Sequence, residues 1–186
     1  MTNSFLFSLL SFYAILVLVN IPAPWLGIKF DNEKSTLRFA PPGFVIPIAW
    51  FILFTLLAIA RHQLLLANFS SLQPWLYALA VLCATYAYYT LGLARLTGIS
   101  ALWFGLWGNL AVIALASCTV IKLYPASGIA ASLTAPIILW TSFATLIVVG
   151  EMTGVQTGLG AIIMEARQLS RTEIVVSGMI VIGLAG

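Results

Sequence analysis

Charge is nearly missing from this sequence, with Asp, Glu, Lys and Arg making up only 7% of its 186 residues. Hydrophobic residues make up 62% and the mean hydropathy is +1.09. A water-soluble domain of this length could not carry that composition without large exposed apolar patches, so lipid is the solvent for most of the surface. There is one histidine, His62, and there are two cysteines, Cys83 and Cys118, both inside apolar runs. With no histidine pair and no Cys-x-x-Cys spacing, no protein-only metal site is expected, and the cysteines read as small packing residues rather than a disulfide. Gly-x-Gly-x-x-Gly does not occur, and no strand precedes the glycines at 154, 158 and 160, which excludes a dinucleotide loop. Basic clusters are absent too. The pI of about 9.1 therefore reflects scattered loop residues, and no nucleic-acid partner is expected. Arg61, Arg95, Lys122 and Glu151 fall at the ends of apolar runs, where long side chains can snorkel. A proton- or ion-coupled pump would need buried carboxylates or histidines that the runs do not supply.

Five long apolar runs are present, at about 5–21, 42–60, 75–94, 102–123 and 129–149. Each approaches the roughly 20 residues a spanning helix requires. None alternates with the period of two that a barrel strand shows. The first run lacks a basic flank and has no small-residue cleavage site before Pro22, so it reads as a helix rather than a signal peptide. The fold class is thus an all-α integral membrane protein, a five-transmembrane-helix bundle over 1–150 with a C-terminal extension over 151–186. Lys29, Lys34, Arg38, Arg95, Arg167 and Arg171 fall on one side of such a bundle, and Arg61 and Lys122 on the other. The bias predicts an N-terminus outside and a cytoplasmic first loop. A bacterial cell membrane is the expected location.

Proline punctuates two of the runs. Pro41 and Pro42 suit a helix start, whereas Pro47 and Pro136 lie inside apolar runs and predict kinks or irregular turns, tolerable in lipid against protein or a water-lined cavity. Gly105, Gly108, Ala111 and Ala114 in the fourth run, and Ala126, Ala130, Ala131, Thr134 and Ala135 around the fifth, predict close backbone approach, either within one bundle or between protomers. The polar stretch before Ala40, with Trp25 and Phe30, is either an interfacial belt or a lid over the bundle mouth. Beyond Gly150 only 174–186 is apolar again, too short to span, and this tail reads as an interfacial helix or a partial sixth helix.

Catalytic constellations are absent, and what remains is aromatic and amide chemistry. Trp50, Phe54, Leu57 and Arg61 share one helical face, and Pro136, Trp140, Phe143 and Ile147 share another. Trp103, Trp107 and the mid-run Asn109 stand in the fourth run, with Tyr86, Tyr88 and Tyr89 in the third. Such rings either wall a site for a planar hydrophobic ligand, with Asn109 and tyrosine hydroxyls at its polar edge, or belong to ordinary core and lipid-facing surface.

The segment Pro41-Pro42-Gly43-Phe44-Val45-Ile46-Pro47-Ile48-Ala49-Trp50 with Phe54 resembles the helix-two signature of the TspO/MBR family, the translocator or tryptophan-rich sensory proteins: Pro-Pro-Gly-Trp, a Trp six residues on and a Tyr four beyond. The stretch from Ala130 to Pro136, followed by Trp140-Thr141-Ser142-Phe143-Ala144-Thr145, is similar to that family's helix five, and Trp103-Phe104-Gly105 stands in the place of its Phe-Phe-Gly. Phe44 stands for the usual Trp, Phe54 for Tyr and Ile137 for the Tyr after proline, and the third run lacks the family's Gln-x-x-x-Asn-x-x-Trp pattern. The resemblance covers about 1–150. It implies a five-helix bundle, commonly a homodimer, whose cavity beneath the first loop binds porphyrins, haem and other planar hydrophobic molecules, with no cofactor required. Carried over, Pro41, Pro42, Trp50 and Phe54 line one wall and Trp140 with Phe143 the opposite one. Phe44, Trp103 and, from its polarity, Asn109 complete the candidate ligand-binding set.

Slow light- or oxygen-dependent porphyrin breakdown, suggested for some relatives, is a further possibility for such a site. The tail over 147–186 instead resembles the end of nitrate/taurine-type ABC transporter permeases, which makes a transporter subunit, or a fusion with a fragment of one, the alternative reading.

Overall fold

A computed structural model describes residues 2–28 and 44–153. Pro41, Pro42, most of the first loop and the tail lie outside the described residues. Within them the chain is helical with no strand: α1 Thr2–Asn20, α2 Val45–Leu66, α3 Gln73–Ala84, α4 Leu93–Thr97, α5 Ala101–Leu123, α6 Gly128–Thr134 and α7 Pro136–Thr153. Among the described residues three helices are long and apolar enough to cross a membrane: Val45–Leu66, Ala101–Leu123 and the α6–α7 unit Gly128–Met152. A fourth is obtained if the bent pair Ser70–Ala84 and Tyr88–Thr97 counts as one span. α1 contributes a shorter apolar helix, Ser4–Asn20, so this count is a little below the five runs read from hydropathy.

The chain is an integral, multi-pass, all-α membrane protein. α1 packs on α2 and α3, α3 on α5, α5 on α6 and α7, and α2 on α6. Phe12, Phe54, Leu57, Leu64, Leu76, Leu79, Leu123 and Ile137 are fully buried between these helices. Dispersion between close-packed side chains holds them there, since lipid tails are as apolar as leucine.

The third span bends by 49°. In a regular helix the Ala84 carbonyl would accept from Tyr88 N–H, but that N–H donates to Thr85 O instead (2.9 Å). Asn20 Nδ2 reaches across to Ala84 O (3.4 Å), tying the end of α1 to the bend. A π-helical turn follows over Tyr88–Gly92. Thr85 and Thr90 hydroxyls donate back to Val81 O (2.8 Å) and Tyr86 O (2.6 Å), competition for carbonyls that bends helices.

The two interior prolines behave differently. α2 begins at Val45, so Pro47 lies in its first turn, where an N–H has no intrahelical partner and the missing donor costs nothing. The kink expected there gives way to one unbroken helix. Pro136 has no N–H to offer Ser132 O, and the fifth span divides at that point into α6 and α7. Ser127 caps α6 by accepting from Ala130 N–H (3.2 Å).

The small residues of α5 split between inside and outside. Gly105 and Gly108 are buried while Ala111 and Ala114 are exposed. A Cβ on Gly108 would come within 2.2 Å of the Tyr89 ring, and one on Gly105 within 3.2 Å of the Tyr86 hydroxyl. Those glycines make room for the tyrosines of the bent third span. Gly108→Ala is expected to lower stability by about 1–3 kcal/mol through overpacking. Thermal unfolding in detergent checks this against Gly128→Ala, whose added Cβ meets nothing within 4 Å.

Candidate functional site

An apolar concavity lies beside the start of α7 at Pro136. α2 keeps close backbone packing with α6, and beyond Pro136 an open groove of about 410 Å³ lies between α2 and α7. Ala49, Ile52, Leu53 and Leu56 form its α2 wall, and Pro136, Leu139, Trp140 and Phe143 its α7 wall. These α2 residues follow i, i+3, i+4 and i+7, one helical face. The lining is almost wholly apolar, and its volume falls in the range of small-molecule sites, roughly 300–1,000 Å³. Trp140 and Phe143 present tilted rings with centroids 6.2 Å apart, and Phe143 is 36% exposed.

The aromatic stripe of α2 faces elsewhere. At 3.6 residues per turn, Trp50, Phe54 and Leu57 are rotated by roughly 120° from the Ala49–Leu53–Leu56 face. Phe54 and Leu57 are fully buried in the bundle core, and Trp50 is half-buried against that core, edge-on to Phe54 at 6.3 Å. The α2 wall of the groove is therefore aliphatic, and of the five rings taken from the two signatures, Phe44, Trp50, Phe54, Trp140 and Phe143, only the last two line it. Ala49, Ile52, Leu53 and Leu56 were missed from sequence because nothing in continuous apolar residues distinguishes a groove-lining face from a lipid-facing one.

The remaining candidates are dispersed. Phe44 precedes α2 and is 67% exposed, and Trp103, in the first turn of α5, is 51% exposed. Asn109 is buried on α5 with no hydrogen-bond partner for its Nδ2 among the described residues. The Thr141 hydroxyl of α7 and the Tyr89 hydroxyl of the π turn are likewise buried without partners. Three of the buried polar groups unpartnered among the described residues thus lie on α7, α5 and the π turn, which pack in that order.

At the end where the first loop begins, the chain leaving α1 is pinned to the third span. Ala23 and Ile28 are buried against Ala87, Tyr88 and Leu91, and the Tyr88 hydroxyl donates to Val19 O (2.5 Å). Arg95 Nη1 donates to Gly27 O (3.0 Å) and Leu26 O (3.3 Å). Gly27 has φ +71°, the left-handed region where a side chain is strained, and a Cβ there would collide with the Arg95 guanidinium. Trp25 stays 84% exposed, an amphipathic ring of the type that settles at a membrane interface.

Arg61 departs from the snorkelling expected of it. It is 8% exposed, donates from Nη1 to Ser8 Oγ (2.7 Å), and its guanidinium carbon lies 5.2 Å from the Phe7 ring centroid and 5.5 Å from that of Tyr77. Sequence placed it near a helix end; only the approach of α1 and α3 buries it.

No curated protein matches the chain. The model of the TspO/MBR family matches residues 12–151, a stretch that includes α2, the groove and all of α5 and α6. With the Pro-Pro-Gly segment, the proline-broken fifth span and the Trp140–Phe143 wall each within that match, the chain belongs to the TspO/MBR family.

Proposed function

We propose that this protein is a membrane-embedded sensor or carrier that binds flat, largely apolar molecules of the porphyrin and haem class in the groove between α2 and α7. The observation that carries this reading is the position of Trp140 and Phe143, which belong to the family's helix-five signature and form one wall of an apolar groove of about 410 Å³. A planar ring system lying on that wall buries apolar area on both faces, against Trp140 and Phe143 on one side and against Ile52, Leu53 and Leu56 on the other. No covalent step is required. Binding alone performs the role, with the first loop cytoplasmic, the N-terminus outside and the family's usual homodimer as the working form.

Titration of purified protein with protoporphyrin IX, followed by tryptophan quenching and the porphyrin's Soret band, tests the reading. Saturable binding is expected. Filling the groove with Ala49→Trp is expected to weaken it by about tenfold or more, since the added indole occupies the ligand's volume. Saturable binding unchanged by that substitution would place the ligand elsewhere.

A further inference from the structure

The bundle end where α1 starts, α2 finishes and α3 starts carries Arg61, His62 and Lys122. Among the described residues it holds no Asp or Glu. The connections 67–72 and 124–127 contain none, and Glu151, the one acidic side chain described, lies near the far end of α7, which runs back beside the start of α5. Lys122 is accounted for by its place over the Trp75 ring, 4.8 Å from the centroid.

Arg61 is accounted for only in part. It stands about 7–9 Å inside the helix ends, five residues before Leu66 and level with Ser8. A guanidinium offers five N–H donors. Among the described residues one is used on Ser8, and Nε is buried with no partner. Serine and aromatic faces solvate the group without compensating its charge, and in lipid an uncompensated charge at that depth is costly. Beside it the Ser4 hydroxyl lies 3.5 Å from His62 Nδ1, and the Ser11 hydroxyl 3.1 Å from that of Tyr77. Phe7, one of the two rings against the guanidinium, is itself 59% exposed, so on that side one side chain separates the group from the bundle surface.

We propose that Arg61, flanked by Ser8 and the Ser4–His62 pair, is a binding site for a phosphate group, supplied in the membrane by the head of an anionic lipid. A phosphate accepts from two N–H groups of one guanidinium at once, which uses the idle donors and cancels the charge. The site lies at the other end of α2 from the groove, so it stands or falls separately from the porphyrin reading.

The test reconstitutes the full chain into nanodiscs of equal parts phosphatidylcholine and phosphatidylglycerol and counts lipids retained through delipidation by native mass spectrometry. Wild-type protein is expected to keep phosphatidylglycerol in preference to phosphatidylcholine. Arg61→Gln is expected to lower that preference about tenfold or more, and Lys122→Gln to leave it unchanged. Equal retention of both lipids by the wild type, or an equal loss in the two variants, overturns the proposal. A second arm adds inorganic phosphate to delipidated wild-type protein: stabilisation that Arg61→Gln abolishes assigns the site to bare phosphate as well, and no effect beside preserved lipid preference assigns it to lipid heads. Should Arg61→Gln not fold, Arg61→Lys keeps the charge without the fork. Retained but weaker preference supports the site, and undiminished preference removes Arg61 geometry from it.

Discussion

Trp140→Ala is expected to weaken protoporphyrin IX binding roughly ten- to a hundredfold, a loss of about 1.5–3 kcal/mol. Trp140 is the largest ring on the groove wall, and its truncation removes both the stacking surface and the tilted partner that orients Phe143. The comparison that gives the result meaning is Trp50→Ala. Trp50 belongs to the more familiar part of the signature, yet it is half-buried against the bundle core and does not line the groove. Its removal is expected to change affinity by less than about threefold, with most of its effect on stability. Binding isotherms on both variants, read from the porphyrin's own absorbance so that the lost fluorophores do not matter, decide between the groove and an interior hollow. If Trp50→Ala costs as much as Trp140→Ala, the ligand lies between the α2 and α7 stripes and the groove is not its site.

Phe54→Ala is expected to be the most destabilising of the aromatic substitutions, by about 3–5 kcal/mol. Phe54 is fully buried, edge-on to Trp50 and part of the core cluster to which α1, α2, α3, α5, α6 and α7 contribute, so its removal opens a cavity that helices locked to one another cannot close. Phe44, 67% exposed ahead of α2, supplies the control: Phe44→Ala is expected to stay within about 0.5 kcal/mol. Thermal or denaturant unfolding in a single detergent measures both. A Phe54→Ala protein as stable as Phe44→Ala would mean that the ring has no close packing to lose, as at the wall of a cavity.

Much of this architecture is legible from residue order. Continuous apolar runs call for helices because every backbone N–H and C=O must find a partner without water. Pro136 had to interrupt its run for lack of a donor, and it does. Pro47 illustrates the limit of the same rule: whether an interior proline kinks a helix depends on where the helix begins, and α2 begins only at Val45. Residues 75–94 read as one apolar run but are bent by 49° between Ala84 and Tyr88, with a π turn following the bend, because Thr85, Thr90 and Asn20 redirect carbonyls in ways hydropathy does not record.

The candidate site shows the same division. Sequence periodicity put Trp50 with Phe54, and Trp140 with Phe143, on shared faces of their helices, and the structure keeps both pairings. Which way each face turns is a property of neighbours. The Trp50–Phe54 face turns into the bundle core, α6 packs on α2, and the aliphatic Ala49–Leu56 face is left to form the groove with α7.

By itself the sequence determined the lipid solvent, the helical class and the proline break, since each follows from local composition or from a missing backbone donor, and its motifs carried the resemblance to the family. Tertiary structure alone decided that Phe54 is core, that Trp140 and Phe143 wall a groove, and that Arg61 is buried with donors to spare. Those outcomes depend on which helices touch, and contacts between distant parts of a chain are set by side-chain packing that no single helix contains.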